Sequence, residues 1–139
     1  MDENCYGMHL TLRIANVEKS EALNLPEIVH KFLVKLVTDI GMRILAGPLV
    51  AAEHSDEGKS GCSGLIILYE SHAAIHTYVD MREAFLDVFS CKQFNTEQVS
   101  ETIREFFGEH SITESNLLDR GHHWQTDLQA SLSKWHCSR

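Results

Sequence analysis

Residues 63–80 read "SGLIILYESHAAIHTYVD", and this stretch decides the fold. Leu65 to Tyr69 form an apolar run of strand length. Ala73 to Val79 form a second run, rich in β-branched and aromatic side chains. Only a very short turn, read at Ser71-His72, separates them. Two strands joined so tightly must run antiparallel. Alternation puts Ala74, His76 and Tyr78 on one face of the second strand. Polar groups at the end of a core strand cost free energy unless they are hydrogen-bonded or used. Ser71, His72 and His76 therefore need an explanation.

Working outward, "MHLTLRIA" (8–15) alternates apolar and polar, which predicts a half-buried strand. Residues 16–25 read as a polar connection. Pro26 marks a helix start and Gly41 its stop. Between them Ile28, Phe32, Leu36 and Ile40 recur every four positions beside Val29, Leu33 and Val37, giving a broad apolar face. "MRILAGPLVA" (42–51) predicts an edge strand or a bend, because Gly47-Pro48 interrupts it. Residues 53–64 have loop composition, and 84–91 predict a fifth strand. Asn95 or Thr96 caps a helix through about Phe107, with Val99, Ile103 and Phe106 inward and Gly108 ending it. Residues 110–118 predict a last strand. The expected fold class is α+β: a two-layer sandwich with an antiparallel sheet and helices packed on one face. One domain spans 1–118, and 119–139 is a polar C-terminal tail.

The chain has 139 residues, 43% of them hydrophobic, which suits one domain with a real core. A formal charge of −8 argues against nucleic acid as a partner. It is compatible with a cationic small ligand. No apolar run approaches the ~20 residues of a membrane span. No signal peptide opens the sequence, and Cys5, Cys62, Cys91 and Cys137 include no C-x-x-C pair. These features point to a reducing, cytoplasmic compartment.

Spacing alone leaves ordinary readings in place. A turn serine is usually a turn former, a strand histidine is usually satisfied, and a cysteine near Phe89 usually behaves as a small hydrophobe. Ser71, His76 and Cys91 all lie near strand ends, where they could cluster in space. His72 reads as a turn residue and Asp87 as structural. His122-His123 and His136-Cys137 are poor metal ligands, because sequence neighbours point apart, so no metal is expected.

The combination is sharper than its parts. "SGCSGLIILYESHAAIHTYVD" followed by "DVFSC" (87–91), with "GMH" at 7–9, resembles the bacterial and archaeal S-adenosylmethionine decarboxylases. Their pattern joins a G-x-S-G, an apolar strand, E-S-H, I-H-T, and then D-x-F-[TS]-C. The resemblance runs from residue 7 to about 107. It implies a proenzyme that cuts itself between Glu70 and Ser71, into 1–70 and 71–139. Ser71 Oγ would attack the Glu70 carbonyl, and the resulting ester would eliminate and hydrolyse to a covalent pyruvoyl group. That ketone would form a Schiff base with the substrate and accept the electrons released with CO2, without pyridoxal phosphate. The resemblance further gives Ser63 a part in processing and makes His76 its proton acceptor. It makes Cys91 the proton donor in decarboxylation, a role suited to a protonated thiol. It also implies a homodimer of cleaved protomers and a part in spermidine synthesis.

Departures from the pattern concern the substrate. The common I-H-T-W-P-E is "IHTYVD" here, so Asp80 stands where the family has a glutamate that binds ribose hydroxyls. The family's loop aromatic, which holds adenine, has no counterpart in 52–63. Tyr78 can still stack, and His9 is either site lining or plain strand surface. S-adenosylmethionine is the leading substrate, and arginine or ornithine the alternative. A non-catalytic regulatory homologue is the alternative of a different class.

Overall fold

A computed structural model describes residues 4–54, 59–122, 130, 133 and 134. The elements in chain order are β1 (Gly7–Ala15), a 3-10 turn (Ser20–Asn24), α1 (Pro26–Asp39), β2 (Ile44–Glu53), β3 (Gly61–Leu68), β4 (Ser71–Tyr78), β5 (Glu83–Ser90), α2 (Thr96–Phe107) and β6 (Ser111–Arg120). The strands form one sheet in the order β2-β3-β4-β5-β1-β6, and every pairing is antiparallel. The core lies between one face of this sheet and the two helices. This is the expected two-layer sandwich.

Periodicity explains each layer. Met8, Leu10, Leu12 and Ile14 of β1 are buried, as alternation requires. In α1 the buried residues are Val29, Phe32, Leu33, Leu36 and Val37, behind Pro26 in the first turn. α2 starts at an Asn95 cap, whose side chain accepts the Glu97 N–H at 2.9 Å. Gly108 ends it at φ 76°. Phe107 of α2 is fully buried and packs on Phe32 with ring centroids 4.9 Å apart. Phe106, expected inward, is only partly buried.

Three boundaries differ from the sequence reading, and two of the differences move a candidate site residue. β3 begins at Gly61, inside the predicted loop 53–64. Its Gly and Ser content suggests a loop, but tertiary packing uses both glycines. A side chain at Gly61 would collide with the Thr77 carbonyl, and one at Gly64 would come within 2.8 Å of Leu33 Cδ1. Ser63 is therefore a strand residue. The hairpin turn is Tyr69-Glu70, not Ser71-His72, so Ser71 opens β4. β6 reaches Arg120, past the predicted domain end at 118. His123, His136 and Cys137 of the two histidine-containing pairs lie outside the described residues.

β2 occupies a sheet edge, where Pro48 removes no ladder donor from a central strand. Thr77, the threonine of I-H-T, faces the core. Its hydroxyl donates to Leu23 O at 2.6 Å and accepts the Cys62 N–H at 2.8 Å. It thereby ties β4, β3 and the 3-10 turn together.

Candidate active site

The Tyr69-Glu70 turn is held on three sides. Tyr69 N–H donates to Arg43 O at 3.0 Å. The Glu70 side chain is nearly buried, and its carboxylate accepts the Arg43 backbone N–H at 3.1 Å and Nε at 3.4 Å. The Arg43 guanidinium also lies over the Tyr69 ring, 4.8 Å from its centroid. The carbonyl oxygen of Glu70 accepts the Cys91 backbone N–H at 2.9 Å. The next residue, Ser71, has φ 148°. An L residue rarely adopts this conformation, at a cost of order 1–3 kcal/mol, and it persists only where the surroundings enforce it. Here they do: the strained residue follows a turn anchored by Arg43 and Cys91.

Cys91 immediately follows β5 and is buried at 1% exposure. Ser71 and Ser90 are cross-strand partners, so Cys91 sits one residue beyond Ser71's neighbour. Structure thus brings Glu70, Ser71 and Cys91 together within one chain.

His76 and Ser63 are elsewhere. They pair directly across β3 and β4, and Ser63 Oγ lies 2.8 Å from His76 Nδ1. Both are exposed. His76 lies five residues along the strand from Ser71, ~16 Å at about 3.3 Å per step. The expected cluster of serine, histidine and cysteine therefore splits into two half-sites at opposite ends of β4.

The sheet face away from the helices connects them in three registered rows. Ile67, His72, Phe89, His9 and Leu118 form the first. Leu65, Ala74, Asp87, Thr11 and Asn116 form the second, and Ser63, His76, Phe85, Arg13 and Glu114 the third. His72 is therefore a strand residue, not a turn residue. Its ring packs on Phe89 with centroids 5.6 Å apart, as does that of His9 at 5.5 Å. Arg120 lies over the same ring at 4.2 Å. Asp87, read as structural, is half exposed and faces His9 Nε2 at 3.9 Å.

His9 lines this face rather than mere solvent-facing surface. Its Nδ1 accepts from Arg120 Nη1 at 3.4 Å, which places the neutral ring's proton on Nε2, facing Asp87. Burial pushes the His9 pKa down, opposed by Asp87 and reinforced by Arg120 and His72. Tyr78, at the far end of β4, meets Phe85 edge-on at 6.1 Å. With Ser63, His76, Glu53 and Lys59 it lines a cleft of about 240 Å³. That is below the ~300 Å³ at which clefts usually bury a drug-sized ligand. Asp80 is exposed in the turn after β4 and does not line the cleft. Cys62 is on the core side, where burial raises its thiol pKa. Among the described residues no group of three or more His, Cys, Asp or Glu side chains is placed to hold a metal.

Sequence reasoning missed Tyr6, Arg43, Phe89 and Arg120. Strand parity could have found Phe89, since it shares a face with Asp87. The others depend on pairing across the chain.

This fold has a solved counterpart. The adenosylmethionine decarboxylase of Aquifex aeolicus superposes with a TM-score of 0.69, covering 85% of this chain and 92% of that one, at 18% identity. The likeness defines the class of scaffold, the sandwich on which that decarboxylase is built. The family model for S-adenosylmethionine decarboxylase matches residues 8–121. The S-adenosylmethionine decarboxylase proenzyme of Methanococcus maripaludis is 31% identical over 90 residues, 65% of this chain and 69% of that protein. That of Caldicellulosiruptor saccharolyticus is 31% identical over 85 residues, 61% of this chain and 64% of that protein. The chain belongs to the S-adenosylmethionine decarboxylase family, as its E-S-H and I-H-T motifs implied.

Proposed function

We propose that this family member is a self-cleaving proenzyme that decarboxylates S-adenosylmethionine, providing the aminopropyl donor for spermidine synthesis. The observation that carries the reading is the Glu70 carbonyl. Its oxygen rests on the Cys91 N–H, and the residue after it is a strained serine. A donor already in place stabilises the oxyanion that forms when Ser71 Oγ attacks; one such donor is typically worth ~10²–10³ in rate. Departure from the Ser71 conformation relieves strain as the amide is replaced by an ester. In that step the C–O bond forms, the C–N bond breaks, and the hydroxyl proton ends on the residue 71 nitrogen. Loss of the Ser71 Cα proton then expels the Glu70 carboxylate, and water releases ammonia from the resulting enamine to leave a pyruvoyl group. This group supplies an electron sink for decarboxylation. No metal or pyridoxal phosphate enters the scheme.

Within one chain His76 is at the other end of β4 from the Ser71 Cα. The reading therefore includes a homodimer in which the open sheet faces meet. Leu65, Ile67, Phe85 and Leu118 make that face exposed and apolar. A two-fold axis near Ala74, the small residue midway along β4, would bring each Ser63-His76 pair over the other chain's Ser71. His76 of the second copy then accepts the Cα proton, and Ser63 fixes its ring through Nδ1. Cys91 Sγ returns a proton to the substrate carbon after CO2 leaves. His9, Tyr78 and Asp80 are the side chains we assign to substrate binding.

We place the protein in the cytoplasm, with neither nucleic acid nor membrane as partner. The net charge of −8 supports the exclusion of nucleic acid. No described helix is long and apolar enough to cross a membrane.

The test is release of CO2 from purified protein given S-adenosylmethionine, arginine or ornithine separately. Turnover of S-adenosylmethionine supports the proposal. Turnover of an amino acid with S-adenosylmethionine inert transfers the activity to the amino-acid decarboxylase reading. Inertness toward all three by a cleaved, pyruvoyl-bearing protein overturns it.

A further inference from the structure

Tyr6 precedes β1 and belongs to no motif of the sequence, yet it reaches the centre of the cleavage site. Gly7 is the reason. A side chain there would collide with Ser90 O and come within 2.8 Å of Cys91 Cα. The start of β1 therefore lies flat on the Ser90-Cys91 backbone, and residue 6 arrives beside Cys91. Tyr6 is fixed from both sides. Its N–H donates to Gly121 O at 3.1 Å. A side chain at Gly121 would meet Tyr6 Cβ at 2.6 Å. Its ring packs on Phe89 with centroids 5.8 Å apart. So placed, its hydroxyl faces the side chains of both Ser71 and Cys91 and interacts with each.

We propose that the Tyr6 hydroxyl is a further catalytic group of the self-cleavage, holding the Ser71 hydroxyl in the orientation from which it attacks Glu70. The inference rests on the reading above that Ser71 is the nucleophile. A serine hydroxyl otherwise samples three staggered rotamers. By accepting the Ser71 proton in a hydrogen bond, Tyr6 selects one and leaves an Oγ lone pair free. Its own proton is directed to Cys91 Sγ. Tyr6 ends the step as it began, protonated, because the serine proton passes to the residue 71 nitrogen as the C–N bond breaks. Burial helps by raising the phenol pKa, so the hydroxyl stays intact at neutral and mildly alkaline pH.

The test follows cleavage by intact mass during cell-free synthesis. Tyr6→Phe keeps the ring against Phe89 and removes only the hydroxyl. We expect cleavage about tenfold slower, with the melting temperature unchanged. A Tyr6→Phe chain that cleaves at the wild-type rate overturns the inference while leaving the decarboxylase reading intact. A second measurement places 3-fluorotyrosine, a more acidic phenol of nearly the same size, at position 6. The alkaline limb of the cleavage profile, where Tyr6 ionises and its hold on the Ser71 proton changes, should move to lower pH, whereas a hydroxyl that does not touch Ser71 would leave it in place. An unmoved limb overturns the inference even where Tyr6→Phe folds poorly. A wild-type chain that remains uncut removes both this inference and the reading beneath it.

Discussion

The two ends of β4 differ in kind. At the Ser71 end, Glu70 and Cys91 are buried, the Glu70 carbonyl has a donor, and Arg43 closes the turn. At the His76 end, the Ser63-His76 pair is well made but exposed, beside a cleft of about 240 Å³. One end presents a bond and its donor, and the other presents a histidine–serine pair open to solvent. In the proposed homodimer, where a second copy turns the strand around, the difference teaches how one strand would carry two halves of one chemistry.

The largest expected effect separates the two ends genetically. His76→Ala should slow cleavage by ~10²–10⁴, the usual worth of a general base. Ser71→Ala should abolish it. When the two variants are folded together, the His76→Ala chain should be cut, because its Ser71 meets the intact His76 of its partner. If neither chain is cut in the mixture, the half-sites do not combine across copies. Cys91→Ala should leave cleavage intact, since the donor to Glu70 is its backbone N–H. Decarboxylation should fall by ~10²–10³. Normal turnover in that variant would assign the proton to another group.

A smaller effect lies in the clamp. Arg43→Ala removes Nε from the nearly buried Glu70 carboxylate, although the residue 43 N–H still holds one oxygen. The Arg43 side chain is partly exposed, so the loss should be modest, ~1 kcal/mol by denaturant unfolding, with slower cleavage. Unchanged stability would mean that the turn needs only its backbone contacts.

The smallest effect is electrostatic. Folding lowers the pKa of His9, chiefly by burial, so the unfolded chain binds its proton more readily. Stability from this source is present above the unfolded value near 6.5. It is lost as pH falls through the lower folded value. The drop in melting temperature between pH 7.5 and 5.5 should shrink in His9→Gln. An identical drop would assign the pH dependence to other groups.

Much of this was legible in the sequence, for physical reasons. Period-two and period-four patterns located β1, β4, β5 and α1, because burial on one face leaves that signature. Gly47-Pro48 marked the edge strand. The motif around Glu70-Ser71 and Cys91 named residues that the fold does bring together. What failed depended on long-range packing. Gly61 and Gly64 make β3 look like a loop, yet their missing side chains allow close approach of Thr77 and Leu33. Ser71 was placed in the turn because nothing local reveals a φ of 148°. Proximity in sequence also joined His76 to Ser71, whereas an extended strand holds them ~16 Å apart. Tyr6 was invisible because its position depends on Gly7 resting on Cys91.

The Glu70-Ser71 bond is the feature on which self-cleavage and the pyruvoyl group both depend. Intact mass of freshly folded protein measures it directly. The prediction is two polypeptides, residues 1–70 and 71–139, with the second lacking the serine amine and reacting with a carbonyl reagent. A single uncut species, inert to that reagent, would contradict the account.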